Sequence, residues 1–158
     1  MAHIREVFAF YAPYPASYKR YVAGSFAPTG IAWSFDNRTA GFRIVGHGPS
    51  LRIECRAAGA DANPYLAFAA TIAAGMAGIR EDLDCGDDYR GNAYVDSSLR
   101  ALPSSLEQSV ALLRSSALAR EVFGEDVVEF YAHTGTLEVE AFKNSVTDWE
   151  KSRYFERI

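Results

Sequence analysis

The segment Leu51-Arg52-Ile53-Glu54-Cys55-Arg56 alternates strictly between apolar and charged residues. Because successive side chains of a β-strand point to opposite faces, the alternation predicts a strand with one apolar face and one ionic face. Side chains on one face lie roughly 6.5–7 Å apart, a spacing that suits several groups converging on one multiply charged ligand. A carboxylate between two guanidiniums is able to hold a metal ion beside a phosphate or a substrate carboxylate. The alternative reading of these six residues alone is a strand whose charged face only meets water.

The charged residues divide the chain into a basic and an acidic part. Residues 1–60 contain seven Lys and Arg against three Asp and Glu, a balance of +4, and residues 61–158 contain nine against seventeen, a balance of −8. Clustered arginines suit bidentate recognition of phosphate or carboxylate, whereas the net charge of −4 disfavours nucleic acid as a partner. Four of the thirteen arginines lie within nineteen residues of the basic part: Arg38, Arg43, Arg52 and Arg56.

The length and composition predict one soluble globular domain. The 158 residues are 49% hydrophobic and 13% aromatic, which is enough for a sizeable core. The longest nearly uncharged run, residues 65–79, is shorter than the ~20 residues of a membrane span, and no signal-peptide pattern opens the chain. We therefore expect a cytoplasmic protein without membrane contact. The two cysteines, Cys55 and Cys85, lack metal-ligand spacing and are expected to be reduced and structural.

Two further strands are predicted before the alternating segment. Residues 29–36 and 41–46 carry strand-forming residues, and Gly46-His47-Gly48-Pro49-Ser50 is typical of a turn. Because the links between the three strands are short, we expect an antiparallel meander. His47 is expected to be a turn residue, since no second histidine or cysteine lies at a metal-binding spacing.

The rest of the chain is predicted to be mostly helical, which gives an α+β fold of a small antiparallel sheet followed by several helices. Asn63 and Pro64 form a helix-start signal, with Asn63 as the N-cap. The helix that follows, residues 64–80, has small residues on all sides and is expected to be buried. The other predicted segments are a short helix at 3–11, irregular chain at 16–29, an exposed loop at 81–102, and helical pieces at 106–113, 119–124, 127–132 and 137–154.

Several segments occur in the order and spacing of one family. They are Ser17-Tyr18-Lys19-Arg20, Ala27-Pro28, Asn37-Arg38, Arg43, Arg52–Arg56, Ala60–Ala67, and Val146–Glu150 with Arg153-Tyr154-Phe155. Together they resemble the C-terminal part of the glutamine synthetase catalytic domain. The resemblance implies an ATP-dependent ligase that phosphorylates the γ-carboxylate of glutamate and lets an amine nitrogen displace the phosphate. It also implies Mg²⁺ or Mn²⁺, which together with clustered arginine stabilises the charge developing on the phosphoryl oxygens.

The resemblance also implies roles for individual residues. Arg20 and Arg56 would hold the carboxylates of the glutamate substrate. Arg38 and Arg43 would hold the nucleotide phosphates and the transferred phosphoryl group, which makes them the candidate catalytic residues. The remaining assignments are Arg52 on the nucleotide side and Glu54 as a ligand of the phosphate-bridging metal ion.

Two positions depart from the family pattern. True glutamine synthetases resemble Gly-Tyr-Glu-Ala-Pro at the place where this chain has Gly24-Ser25-Phe26-Ala27-Pro28. The phenyl ring of Phe26 takes no proton from ammonium, but it can line an apolar slot for the carbon chain of an organic amine. This favours the glutamylpolyamine synthetase branch, a γ-glutamyl-amine ligase. The second departure is Ala16, where the family has Asn, and it affects the local support of Arg20.

The resemblance covers only part of the family's chain. An N-terminal β-grasp domain, further metal-binding carboxylates and a metal-binding histidine have no counterpart here, so we expect residues 1–158 alone to be inactive and to leave an unpaired strand edge. The full-length form is expected to be a homo-oligomer. Three alternatives stay open: a true glutamate–ammonia ligase, a non-catalytic domain that binds anions or a partner through its arginines, and an unrelated α+β protein.

Overall fold

The computed structural model describes residues 1–157, and in them three strands and five α-helices confirm the α+β class. The strands are β1 (Trp33–Phe35), β2 (Phe42–Val45) and β3 (Arg52–Cys55), in the order β1-β2-β3. The helices are α1 (Pro64–Arg80), α2 (Leu106–Arg114), α3 (Ala117–Phe123), α4 (Glu125–Asn144) and α5 (Asp148–Tyr154). Short 3₁₀ helices lie at Phe8–Phe10, Pro15–Arg20 and Gly48–Ser50.

The sheet is mixed, so the predicted antiparallel meander is wrong for its first pair of strands. β2 and β3 are antiparallel, as predicted, but β1 and β2 are parallel. Residues 36–41 return the chain to the level where β1 begins, a distance of about 10 Å that six residues cover easily. Asp36 begins this return with a φ of 45°, and Asn37 Oδ1 accepts hydrogen bonds from the N–H (2.9 Å) and hydroxyl (2.7 Å) of Thr39. These local bonds replace the hairpin turn that an antiparallel pair needs.

Helix α1 begins and ends where the sequence predicts, but its predicted burial is wrong. Asn63 Oδ1 accepts a hydrogen bond from the N–H of Tyr65 at 3.0 Å, and Pro64 is the first helical residue. Only alanines of one side are buried, since the larger apolar side chains lie together on the opposite side. The exposed apolar side chains of α1 are Tyr65, Phe68, Ile72, Met76 and Ile79.

No helix within residues 1–157 is long and apolar enough to cross a membrane.

The core forms where the N-terminal segment packs against helices α1, α2 and α4. Residues 3–11 do not form the predicted α-helix: turns lead into the 3₁₀ helix Phe8–Phe10, in which the Phe10 N–H donates to Val7 O at 3.0 Å. Residues 7–11 are all buried, so packing overrides the weak helical pattern. Phe10, for example, stacks against Phe123 with ring centroids 5.0 Å apart.

The C-terminal half is helical as predicted, with different boundaries. The pieces predicted at 127–132 and at the start of 137–154 belong to the single helix α4, and α5 is separate. Helix α5 begins with a capping box formed by Thr147 and Glu150. Glu150 Oε2 accepts from the Thr147 N–H at 2.7 Å, and Thr147 Oγ1 accepts from the Glu150 N–H at 3.4 Å. The buried stripe of α2, the loop at 81–102 and the glycine end of α3 at Gly124 are confirmed.

Candidate functional site

The charged side chains of β2 and β3 share one side of the sheet, which we call the ionic face (Arg43, Arg52 and Glu54). The antiparallel register places Arg43 opposite Glu54 and Val45 opposite Arg52. Residues two apart on a strand share a face, so the predicted alternation along β3 is confirmed. On the other face Ile53 is 69% exposed, whereas Cys55 is partly buried against the core.

Glu54 lies at the centre of the ionic face and accepts hydrogen bonds from an arginine of the neighbouring strand. Arg43 Nη1 lies 3.2 Å from Glu54 Oε1 and 3.0 Å from Oε2, and Arg56 Nη1 lies 3.6 Å from Oε2. The Arg43 hydrogen bonds, together with the charges of Arg43, Arg56 and Arg52, hold the pKa of Glu54 below its ordinary value. The carboxylate is therefore ionised at neutral pH, where it offsets part of the guanidinium charge around it.

Asp36 is a second carboxylate on Arg43, and the sequence reasoning missed it. Arg43 Nε donates to Asp36 Oδ1 at 3.1 Å, and Arg43 Nη2 contacts the same oxygen. Arg43 thus bridges two carboxylates, and only 12% of its side chain is exposed. Its hydrogen bond lowers the pKa of Asp36, with a smaller contribution from the charge of Arg38. Arg38 itself is exposed and forms no ion pair within residues 1–157, so the structure does not bring it into this network.

A groove of about 260 Å³ borders the ionic face and is lined in part by Asp36, Arg43, His47 and Arg52. Arg52 is exposed and donates one hydrogen bond, from Nη1 to Ser50 O at 3.3 Å, which leaves its other donors available. His47 lies in the turn, as predicted, and its N–H donates to Ser50 Oγ at 3.1 Å. Arg43 is already paired with Asp36 and Glu54, so Arg52 is the arginine of this groove whose guanidinium has donors available to an anionic ligand.

Arg20 and Arg56 meet at the carboxyl end of β3. Arg20 donates from Nη1 to Ala57 O at 2.9 Å and from Nη2 to Arg56 O at 3.0 Å. Arg56 Nη2 in turn donates to Phe26 O at 2.7 Å, and Arg56 Nη1 lies near Glu54. The structure therefore joins four of the predicted site residues, Arg20, Phe26, Arg56 and Glu54, in one polar network that continues to Arg43.

Phe26 presents its ring to solvent beside this network. The side chain is 68% exposed, and the backbone has a φ of 61°, a left-handed conformation that bulky residues rarely adopt. Such conformations persist where the surroundings hold them, and here the Arg56 guanidinium binds the Phe26 carbonyl oxygen. The backbone of Phe26 is thus held by Arg56, while its ring stays exposed.

A hydrogen bond between Ser17 and Asp61 connects the 3₁₀ helix Pro15–Arg20 to the segment that leads into α1. Ser17 Oγ donates to Asp61 Oδ2 at 2.5 Å and accepts from the Tyr14 N–H at 3.1 Å. The sequence reasoning gave neither residue a role. A signal was present, because both residues lie in segments that carry the family resemblance.

The described residues do not form a metal site on their own. Within residues 1–157 no three His, Cys, Asp or Glu side chains lie close enough together to hold a metal ion. Glu54 supplies one carboxylate, and its oxygens already accept hydrogen bonds from Arg43. Cys55 and Cys85 are both free cysteines in the structure, and burial raises the pKa of Cys55.

Comparisons with known proteins match the chain to relatives of about three times its length. It is 46% identical over 155 residues to gamma-glutamylethanolamide synthetase GlnA4 of Streptomyces coelicolor, covering 98% of this chain and 33% of the relative. It is 40% identical over 161 residues to the glutamate–isopropylamine ligase of a Pseudomonas species, covering 100% of this chain and 35% of the relative. The chain therefore spans about a third of the length of the curated relatives it matches.

Structural comparison and the family match agree with these relatives. The solved structure of a GmaS/ADP complex superposes with a TM-score of 0.86 at 29% identity, covering 98% of this chain and 37% of that one. The family described as glutamine synthetase, catalytic domain, matches residues 1–154. The resemblance seen in the sequence is thereby confirmed, and the chain belongs to the glutamine synthetase catalytic-domain family.

Proposed function

We propose that this chain is part of an ATP-dependent ligase that joins the γ-carboxylate of glutamate to an organic amine. The observation that carries the proposal is the continuous polar network from Arg20 through Arg56 and Glu54 to Arg43. In support of the proposal, the arginines that would hold substrate carboxylates lie at one end of this network, and an arginine that would hold phosphate lies at the other. The amine ligases among the relatives support the same chemistry.

The reaction has two steps, and each needs positive charge at a defined place. A γ-carboxylate oxygen of glutamate attacks the γ-phosphorus of ATP, the bond to ADP breaks, and γ-glutamyl phosphate forms. The amine nitrogen then attacks the acyl carbon, phosphate leaves, and the nitrogen loses a proton. Arg43 and Arg38 would stabilise the charge on the transferred phosphoryl group, and Arg52 would bind the nucleotide phosphates. Arg20 and Arg56 would hold the glutamate carboxylates.

Glu54 would contribute one carboxylate to a divalent metal ion, Mg²⁺ or Mn²⁺. Such an ion, when bound, neutralises phosphate charge. Because residues 1–157 do not contain a sufficient ligand set, the other ligands would come from outside this chain. Glu54 already balances Arg43 and Arg56, so it also keeps both guanidiniums oriented when no metal is present.

Phe26 would line the slot for the carbon chain of the amine. Two observations support this role: the ring is exposed, and the backbone carbonyl oxygen of Phe26 accepts a hydrogen bond from Arg56, a predicted glutamate-binding arginine. A carboxylate at this position would neutralise ammonium and take its proton, whereas a phenyl ring favours a nitrogen that carries an alkyl group. The names of the two relatives, which specify ethanolamide and isopropylamine, favour a small organic amine as the acceptor.

The chain would correspond to the C-terminal portion of the family's catalytic domain and act together with the parts it does not span. The outer edge of β3 has no partner strand within residues 1–157, and Ile53 of β3 and the apolar side of α1 are exposed. Unpaired strand edges and large apolar patches are normally covered in a working protein. A homo-oligomer in the cytoplasm, where ATP and glutamate are available, is the state we expect for the full-length enzyme.

The proposal is tested by measuring ADP release from the full-length enzyme that carries this chain. ATP, glutamate and Mg²⁺ are supplied with ethanolamine, isopropylamine, a polyamine or ammonium, each at the same concentration. We expect ADP release that requires glutamate and is fastest with a small organic amine. Turnover with ammonium and none with organic amines would contradict the amine assignment.

Phe26 provides a matched test of the acceptor. Phe26→Glu should lower kcat/KM for the organic amine and raise it for ammonium, while the KM for ATP stays unchanged. Phe26→Leu keeps an apolar side chain and should retain most of the amine activity. Equal loss with both acceptors in Phe26→Glu would mean that the residue supports the loop rather than the amine.

The incomplete metal ligand set favours a second candidate, a non-catalytic domain that binds anions through the ionic face. This candidate predicts binding of polyphosphate with no glutamate-dependent ADP release by the full-length protein. The same ADP assay therefore separates the two functions.

A further inference from the structure

We infer that Asp61 is a positioning residue for Arg20 and acts through Ser17. The inference rests on the proposed function, because it concerns the arginine that would hold the glutamate substrate. Asp61 lies in the connection between β3 and α1, whereas Arg20 ends the 3₁₀ helix Pro15–Arg20. The two side chains share no direct bond, so any effect of Asp61 on Arg20 must pass through the 3₁₀ helix.

The periodicity of the 3₁₀ helix places Ser17 and Arg20 on the same side. This helix has three residues per turn, so side chains three apart lie one above the other. Both side chains face the β3–α1 connection: Arg20 binds the carbonyl oxygens of Arg56 and Ala57, and Ser17 binds Asp61. The connection therefore holds this one helical turn at its beginning and at its end.

The Ser17–Asp61 hydrogen bond is short, and its donor is shielded from solvent. Ser17 is only 7% exposed, and its 2.5 Å distance to Asp61 Oδ2 is typical of a hydroxyl that donates to a carboxylate. Ser17 Oγ also accepts from the Tyr14 N–H, so its hydroxyl joins both chain segments. The other carboxylate oxygen of Asp61, Oδ1, lies against Gly59. A Cβ at position 59 would collide with this oxygen, so a larger residue there would displace the Asp61 carboxylate.

Loss of the bond should release the beginning of the turn while the two carbonyl bonds of Arg20 remain. The Arg20 guanidinium would then sample more orientations, which weakens glutamate binding without any contact to the nucleotide side. We expect Asp61→Ala and Ser17→Ala each to raise the KM for glutamate about tenfold, the scale of one hydrogen bond to a charged group. The KM for ATP should stay within a factor of two.

The kinetic test uses the full-length enzyme and five variants, two of which are the single alanine variants. Asp61→Asn keeps an oxygen that accepts from Ser17 and should restore near-normal KM for glutamate. The double variant Ser17→Ala with Asp61→Ala should be no worse than either single variant, because both remove the same bond. Asp87→Ala, an exposed loop aspartate, is the matched control and should change nothing. Equal increases in both KM values, or additive effects in the double variant, would overturn the inference.

A second readout needs no activity. Phenylglyoxal modifies accessible arginines, and mass spectrometry reports the rate at each site. Asp61→Ala should increase the modification rate of Arg20 severalfold, with the exposed Arg38 and Arg52 unchanged as internal standards. An unchanged rate at Arg20 would refute the positioning role. If Asp61→Ala increases the rate at Arg20 but the wild-type enzyme shows no ligase activity, the proposed function is refuted and the positioning role stands.

Discussion

Replacement of Glu54 by Gln should strengthen the metal-free binding of a polyphosphate to the ionic face. Glu54 is the carboxylate that lies between Arg43 and Arg56, and its pKa is held low, so it is fully charged at neutral pH. Gln has the same shape and no charge. The substitution therefore adds one net positive charge to the groove that Arg43 and Arg52 line, without removing volume.

The size of the effect follows from the spacing of the ionic face. Arg52 and Glu54 are two apart on β3, so a phosphate bound by Arg52 lies about one same-face spacing, roughly 6.5 Å, from the Glu54 carboxylate. Removal of a unit charge at that distance in a surface environment changes an anion's dissociation constant about three- to tenfold. The effect should shrink at high salt, because screening acts over about 10 Å at 0.1 M ionic strength.

Isothermal titration with inorganic triphosphate in the presence of EDTA measures this change. We expect Glu54→Gln to bind three- to tenfold more tightly than the wild type at low salt, with the difference reduced at 0.5 M salt. Glu138→Gln, an exposed position on α4, removes the same charge far from β3 in the chain and is the matched control. Equal or weaker binding by Glu54→Gln would refute the assignment of the ionic face as an anion site.

Three further predictions concern stability. Arg43 lowers the pKa of Glu54 below 4.5 in the folded state. The stabilisation from the Arg43–Glu54 pair is therefore complete above pH 4.5 and is lost as the pH falls further. Arg43→Gln should reduce this acid-induced loss of unfolding free energy in urea titrations. Burial raises the pKa of Tyr21 to about 12. Its neutral form therefore stabilises the fold below pH 10, and this contribution declines as the pH rises toward 12. Tyr21→Phe should reduce the loss of unfolding free energy at alkaline pH. A Cβ at Gly135 would lie 2.6 Å from Val110 Cγ2, so Gly135→Ala should cost about 1–3 kcal/mol of unfolding free energy, and adding Val110→Ala should recover part of it.

Local signals sufficed where a feature depends on neighbouring residues. Asn63 and Pro64 predicted the start of α1 because capping needs only adjacent backbone groups. The direction of β1 relative to β2 depends instead on the path of residues 36–41, which Asp36 and Asn37 turn back by bonds that short links do not reveal. The exposed side of α1 was also beyond prediction, since composition alone does not say which side packs.

The sequence predicted those parts of the candidate site that depend on neighbouring residues and missed those that depend on contacts between distant segments. The alternation of residues 51–56 correctly placed Glu54 on a charged face with its neighbours. Its closest partner, however, is Arg43 of the next strand, and this pairing follows from the strand register, which the sequence does not specify. The bond between Ser17 and Asp61 joins residues 44 positions apart and could not be predicted from spacing.

A competition experiment with the full-length enzyme shows whether the acceptor is an organic amine or ammonia. Glutamate, ATP and Mg²⁺ are incubated with equal concentrations of ammonium, ethanolamine and isopropylamine, and mass spectrometry measures the γ-glutamyl products. A γ-glutamylalkylamide should exceed glutamine, and its formation should consume one ATP per amide. Glutamine as the dominant product, or no γ-glutamyl product at all, would contradict the assignment as a glutamate–amine ligase.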